Sequence, residues 1–423
     1  MLRDIINKQK GEKDLFLINN YVGRSKDSFG QKWLSSDLIK VVLGPRRAGK
    51  SVFSFMMLKG RPFMYFNFDD EVLATLGGIS TDELMQELHA AYGEIKTIFF
   101  DEIQNLPNWE LFVNRLHRLG YNLVLTGSNA QLLSMELATH LTGRHMPIEI
   151  LPFDFKEFLN ANEFKADLSG YLLPEKQGEL LKLMDKYLRS GGFPEVVVDN
   201  LDARDYLDVL LDSLLFKDVI KRHRVKFSTQ ISNLSVHLIN NFASLYTLNK
   251  LKKTLNLKSV TTIEKYISYL QESYLLFSLS LFSLKSIERL RSPKKIYVID
   301  NGFITAKAVQ NSPNTGKLME NLVFIELVKK GYKPNHELFY YKTRNNREID
   351  FVLKNGTVVT ELVQVTYDLT DPEVEEREVK ALVEASQELS VTALTVITWN
   401  EKREVKKDGL TIHFIPLWEW LVR

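Results

Sequence analysis

One short stretch constrains this chain more than any other: Gly44-Pro45-Arg46-Arg47-Ala48-Gly49-Lys50-Ser51. It follows an apolar run, Leu38 to Leu43 broken only by Lys40, and precedes an apolar helical pattern from Val52 to Leu58. A buried strand therefore turns at glycine into a helix, the context in which the G-x-x-x-x-G-K-[ST] spacing makes a phosphate-binding loop. Glycine lets backbone N–H groups turn inward around an anion, and the helix presents its positive end to the same charge. The spacing assigns nucleotide contact to residues Gly44, Pro45, Arg46, Arg47, Ala48, Gly49, Lys50, Ser51 and Val52. Lys50 is expected to reach the β- and γ-phosphates, and the Ser51 hydroxyl to bind Mg²⁺.

A second signal lies about fifty residues on, where Thr97-Ile98-Phe99-Phe100-Asp101-Glu102 reads as an apolar strand ending in two carboxylates. Asp101 at such a tip suits the magnesium ion that bridges phosphates, and Glu102 suits orienting and deprotonating the attacking water. Between these signals, Phe63 to Phe68 reads as a strand, and Ser80-Thr81-Asp82-Glu83 as a capping box opening a helix to about Tyr92. A helix from Asn108 to Leu119 and strands at Asn122 to Leu125 and Pro147 to Leu151 follow, which predicts a parallel sheet with crossover helices. Ser128 and Asn129, at the tip of the fourth strand, are placed to sense the γ-phosphate or the lytic water. Arg144 is a candidate charge-stabilising arginine for its own site or a neighbouring subunit's, and Arg46 and Arg47 are candidates for the same work.

Length and composition set outer bounds. At 423 residues the chain is expected to hold about three domains. A net charge of +2 means that any nucleic-acid surface is local and not a property of the whole chain. The absence of cysteine excludes disulfides, thiolate nucleophiles and Cys-based metal sites, and suits a cytoplasmic setting. The longest apolar stretch, Tyr274 to Leu284, carries serines and is too short to cross a bilayer, so no membrane is expected. The eight histidines show no metal-ligand spacing.

These residues resemble a known family. Gly-Pro-Arg-Arg-Ala-Gly-Lys-Ser at 44–51, Phe-Asp-Glu-Ile-Gln at 100–104, Leu-Thr-Gly-Ser-Asn at 125–129, Thr-Gly-Arg at 142–144 and Leu-Pro-Phe-Asp-Phe-Lys-Glu-Phe-Leu at 151–159 are similar to prokaryotic AAA-type ATPases with a C-terminal DUF4143 region. The likeness continues through Gly191-Gly192-Phe193-Pro194-Glu195, Lys217 to Arg222 and Tyr297 to Gly302. It implies an α/β chain: a P-loop AAA-type parallel sheet over residues 1–152, a helical lid over 153–228, a winged helix over 229–302 and a PD-(D/E)xK nuclease-like α/β domain over 303–423. The middle fits that plan, with helical patterns at Ile231 to Asn240, Leu248 to Leu255 and Thr262 to Ser273, the last behind a capping box at Thr261 and Glu264. Lys285, Arg289, Arg291, Lys294 and Lys295 lie between two apolar stretches that make a basic hairpin.

The region from about Gly316 has an αβββαβ-like order. Glu320 falls on a helix from Lys317 to Lys330, and strands Glu348 to Lys354 and Thr357 to Thr366 flank Asn355-Gly356, a two-residue hairpin signal. A regular hairpin pairs Lys354 with Thr357 and sets Asp350 across from Glu361, so that both carboxylates share a face. Such a pair, with Glu320, is what a nuclease of this type uses to bind a metal that activates water, as the resemblance implies; a degenerate domain that binds nucleic acid or protein is the alternative reading. The usual lysine two residues after the second acid is replaced by Val363, and Gln364 joins the site only if a bulge shifts the register. Glu373, Glu375, Glu376 and Glu378, on a helix from Pro372 to Glu388, read as a solvated face.

Three functions fit this pattern: a Mg²⁺-dependent ATPase that moves its downstream modules, a nucleotide-gated switch binding DNA or a protein with negligible turnover, and an ATP-regulated nuclease. ATP is expected over GTP because no N-K-x-D guanine-reading motif follows the fourth strand. DNA, a protein partner or further copies of the chain are the partners each reading requires.

Overall fold

The computed structural model describes residues 1–73, 78–128, 143–165, 173–257, 259–308, 314–369 and 371–423. The chain divides into two compact units: Met1–Phe153 with Glu272–Tyr274, and Asp154–Gln271 with Leu275–Arg423.

In the first unit, strands β1 (Ile39–Leu43), β2 (Met64–Asn67), β3 (Thr97–Asp101), β4 (Asn122–Gly127) and β5 (His145–Glu149) form one sheet in the order β2-β3-β4-β1-β5. Every pairing is parallel. The strands read as apolar runs because both faces are covered by helices, which leaves no solvated face to encode. Phe55, Tyr65 and Phe99 cluster on one face, with the rings of Phe55 and Phe99 edge to face at 5.1 Å. The fifth strand starts two residues earlier than expected, since His145 already pairs with Ile39. The helix at the start of the chain runs over Leu2–Ile18. Its buried Gln9 exchanges two hydrogen bonds with the Asn67 backbone, at 3.0 and 2.9 Å, and so closes the tip of β2.

This strand order separates the loop from the acidic tip by one strand. β4 lies between β1 and β3, so a β4 side chain is positioned to bridge the two chemical signals.

The second unit begins with helices Phe155–Ala161, Pro174–Ser190, Pro194–Val198 and Ala203–Leu214, the last continuing into a π-helical turn, Leu215–Lys221. Next come helix Ser228–Asn240, β6 (Ser244–Tyr246), helices Leu248–Thr254 and Val260–Glu272, then β7 (Leu276–Leu279), helix Ser286–Arg291 and β8 (Lys294–Val298). β8 is the middle strand of an antiparallel β6-β8-β7 sheet. Helix Val260–Glu272 starts ahead of the expected capping box, so Thr261 lies inside its first turn.

Helix Thr315–Lys329 opens the C-terminal region. β9 (Leu338–Lys342), β10 (Glu348–Asn355), β11 (Val358–Val365), helix Pro372–Leu389, β12 (Leu394–Thr398), β13 (Arg403–Lys407) and β14 (Leu410–Pro416) follow, giving a mixed six-stranded sheet. The β10–β11 hairpin is not regular. Asn355 pairs with Val358 and Lys354 with Val359, whereas Leu353 already pairs with Glu361. Thr360 is the extra residue, its hydroxyl donating back to the Leu353 carbonyl at 3.2 Å.

A buried knot ties three distant segments of this unit. Asp300 accepts from the backbone N–H groups of Gly192 and Gly302, both at 2.8 Å. Asn301 donates to the carbonyls of Leu188 and Leu318. Gly191 has φ +74°, and a Cβ there would lie 1.6 Å from an Asp300 oxygen, so the close approach needs glycine.

Candidate functional site

The loop after β1 is shaped by backbone conformations that side chains disfavour. Gly44 has φ +148° and Gly49 φ +88°, and a Cβ on Gly44 would stand 1.9 Å from the Ile150 carbonyl oxygen. Gly49 caps helix Lys50–Leu58, whose N-terminus faces the loop. From outside, the Arg24 guanidinium donates to the Ala48 carbonyl at 2.9 Å and lies over the Phe153 ring.

Lys50 is buried at 4% exposure, and its ammonium donates to the Pro45 carbonyl at 3.0 Å while standing 3.8 Å from Glu102 Oε1. The Ser51 hydroxyl donates to Asp101 Oδ1 at 3.0 Å. Thr126, on the intervening strand β4, also donates its hydroxyl to Asp101 Oδ1 and accepts from the Glu102 N–H at 2.9 Å. Loop, acidic tip and γ-side strand therefore meet over a few ångströms. Burial pushes the Asp101 carboxyl up to about 6, the neighbouring Glu102 charge adds to this, and the Thr126 and Ser51 hydrogen bonds with the Lys50 charge oppose it. A divalent cation would supply the missing counter-charge: a hydroxyl and a carboxylate oxygen are the hard ligands that magnesium takes.

Glu102 sits at φ +51°, a left-handed conformation unusual for a non-glycine residue. That turn lifts its carboxylate off the strand axis, where Gln104 Nε2 donates to it. Ser128 is buried at the end of β4, and Asn129 lies outside the described residues. Arg46 reaches Asp69 at 3.5 Å, and Arg47 is exposed with φ +63°. Thr126, Tyr65 and Gln104 were not singled out from the sequence. Only Thr126 carried a signal, as a hydroxyl at the tip of an apolar strand.

Arg144 is the exception to this convergence. It directly precedes β5, its carbonyl accepting from Ile39 N–H at the start of β1. The phosphate loop leaves the other end of β1, roughly 16 Å away along the strand. The Arg144 backbone thus stands at the opposite end of β1 from the loop of its own subunit.

Comparison with known proteins follows this geometry. A family model described as an AAA domain matches residues 36–159, and two domains of unknown function, DUF8612 and DUF4143, match 181–314 and 315–420. An uncharacterized protein of Methanocaldococcus jannaschii is 39% identical over 399 residues, spanning 90% of this chain and 88% of its own. The chain belongs to the AAA-domain family that carries DUF4143. This AAA–DUF4143 protein is also 29% identical to an uncharacterized protein of Haemophilus influenzae, over 90% of this chain and 94% of that one. Among solved structures it is similar to a Walker-type ATPase of Pyrococcus abyssi, with 16% identity, a TM-score of 0.45, and coverage of 68% of this chain and 96% of that one. The AAA-domain match over residues 36–159 supports nucleotide binding and hydrolysis.

The second carboxylate cluster of the AAA–DUF4143 protein differs from expectation. The bulge at Thr360 turns Glu361 to the opposite face, where it accepts from the Thr395 hydroxyl at 2.6 Å and takes no part in a site with Asp350. Gln364 takes its place, Oε1 accepting from the Asp350 N–H at 3.1 Å and Nε2 donating to Glu378. Glu378 is buried at 6%, not on a solvated face, and Arg377 pairs with it at 2.6 Å. Among the described residues no group of three or more His, Asp or Glu is arranged to hold a metal ion, and no helix is long and apolar enough to cross a membrane.

Proposed function

We propose that this chain binds ATP with Mg²⁺ at the 44–52 loop and hydrolyses it. One observation carries the reading: the Ser51 hydroxyl and the Asp101 carboxylate meet at 3.0 Å beside a buried Lys50 that also neighbours Glu102. The loop N–H groups and the helix N-terminus hold the phosphates. Lys50, which otherwise donates to the Pro45 carbonyl, turns to the β- and γ-oxygens. Ser51 and Asp101 would hold the metal, which would supply positive charge to the phosphates. Glu102 Oε1 would take a proton from the attacking water, and the buried Ser128 is placed to sense the γ-phosphate.

The order of elements from Ser228 to Val298, three helices with a strand between the first two and then a hairpin, supports a winged helix. Lys285 and Arg291 are exposed in the segment joining its last two strands, which suits duplex phosphates. Arg144, remote from its own loop, supports a role across an interface between copies.

Steady-state phosphate release with ATP, in the presence and absence of duplex and single-stranded DNA, tests the proposal. Turnover is expected to require Mg²⁺ and to vanish in Lys50→Ala. Tight ATP binding without turnover under every condition would establish a switch and refute hydrolysis. DNA binding that does not weaken with rising salt would remove the basic hairpin as its surface.

A further inference from the structure

A cavity of about 630 Å³ opens in the C-terminal region, with Glu320, Glu348, Asp350, Gln364 and Glu378 among its lining residues. The carboxylates reach it from three elements: helix Thr315–Lys329, strand β10 and helix Pro372–Leu389. Such a pocket, cut into a mixed sheet, would ordinarily hold a cation from solvent, because buried carboxylates that face one another repel unless something positive stands between them.

Here the chain supplies the positive charge itself. Lys295 leaves β8, the middle strand of the neighbouring three-stranded sheet, and its ammonium lies 2.8 Å from Glu320 Oε1, 2.7 Å from Glu348 Oε1 and 3.1 Å from Asp350 Oδ1. The ammonium donates hydrogen bonds to Glu320 and Asp350, and the Glu348 carboxylate adds a third ion pair. The side chain is 2% exposed. Its neighbours hold it in line: Tyr297, two residues along the same strand face, donates to Glu320 Oε1 at 2.7 Å, and its ring stacks at 4.0 Å on Phe324, one turn further along the Glu320 helix. Asp350 is fixed from behind by the Val365 N–H at 3.0 Å. Burial pushes Glu320 up to about 7 and the Asp350 charge adds to this, while Lys295 pulls the other way.

We infer that Lys295 is the resident cation of this pocket, and that the pocket accepts a divalent metal ion only when that ammonium is withdrawn. A magnesium or manganese ion bound by Glu320 and Asp350 must sit about 2.0–2.2 Å from their oxygens. The same oxygens already hold a positive nitrogen at hydrogen-bond distance, so the two cations compete for one place. Lys295 belongs to the β6-β8-β7 sheet and the carboxylates do not. The inference stands apart from the nucleotide reading, since it uses none of the loop residues.

Manganese binding to the full-length, nucleotide-free protein, followed by electron paramagnetic resonance, tests it. The unmutated chain is expected to hold no Mn²⁺ whose binding is lost on Asp350→Asn. Lys295→Met, which keeps the apolar stem and removes the charge, is expected to gain one Mn²⁺ per chain. The gain must disappear in the Lys295→Met/Asp350→Asn double variant, which separates this pocket from Ser51 and Asp101. Asp350-sensitive Mn²⁺ binding by the unmutated chain would overturn the inference, and so would a folded Lys295→Met protein that gains none. Should Lys295→Met fail to fold, amine acylation of the unmutated chain decides. Lys295 is expected to stay unlabelled with or without millimolar Mn²⁺, and labelling at the rate of the exposed Lys285 would overturn the assignment.

Discussion

The left-handed backbone at Glu102 makes a prediction in which stability and activity move independently. A non-glycine residue at φ +51° costs about 1–2 kcal/mol relative to glycine, whereas alanine otherwise gains about 0.4–1 kcal/mol over glycine by stiffening the unfolded chain. The first effect outweighs the second, so Glu102→Gly should be more stable than Glu102→Ala by roughly 0.5–1 kcal/mol. For a unit of this size that difference corresponds to about 1–4 °C in a thermal scan. At Leu111, exposed on helix Trp109–Arg118, the same pair should give the opposite order. Neither variant should hydrolyse ATP at a useful rate, and Glu102→Gln should lose about 10²–10⁴-fold in turnover with nucleotide binding intact. Calorimetry on Glu102→Gly and Glu102→Ala, with phosphate release on all three variants, makes the test. If the alanine variant is the more stable of the two, the strain is not there; if Glu102→Gln turns over at the unmutated rate, Glu102 is not the base.

Four further outcomes follow from the structure. Asp101, raised from 3.8 to about 6 in the folded chain, contributes stability below its unfolded range that is lost as pH rises through about 6. Asp101→Asn should thus stabilise the nucleotide-free protein at pH 8 by about 2–3 kcal/mol in urea unfolding, while Mg²⁺-nucleotide binding is lost. In the unmutated chain, Mg²⁺-nucleotide affinity should fall about tenfold per pH unit below about 6, because a ligating carboxylate must first release its proton, as titration calorimetry would register. Gly44→Ala drives a methyl group into the Ile150 carbonyl and should abolish nucleotide binding while circular dichroism shows the sheet intact. Gly191→Ala displaces the Asp300 carboxylate from two backbone donors and should cost roughly 3 kcal/mol or more in unfolding experiments.

The nucleotide site was legible because its chemistry is local. Eight consecutive residues define the loop, and an apolar strand ending in Asp101 and Glu102 announces itself by composition. The strand order was not legible, so Thr126 was passed over: nothing in a linear pattern says that β4 separates β1 from β3. Arg144 was placed by motif, yet strand polarity sends it to the far end of the sheet. In the C-terminal region a single inserted residue, Thr360, transposed Glu361 and Gln364 between faces, and alternation counting cannot detect an insertion that the turn signal hides. Lys295 was seen only as one basic residue of a hairpin. Its three partners lie 25, 53 and 55 positions along the chain, in a different sheet and helix.

The Asp300 knot has a mechanical meaning. One carboxylate clamps the backbone just past helix Pro174–Ser190 to the start of helix Asn301–Lys307, and the adjoining Asn301 pins helix Thr315–Lys329 to the same point. Three helices thus meet at one buried hydrogen-bonded junction, so breaking it at Asp300 would free the helix that carries Glu320 from the backbone that follows helix Pro174–Ser190.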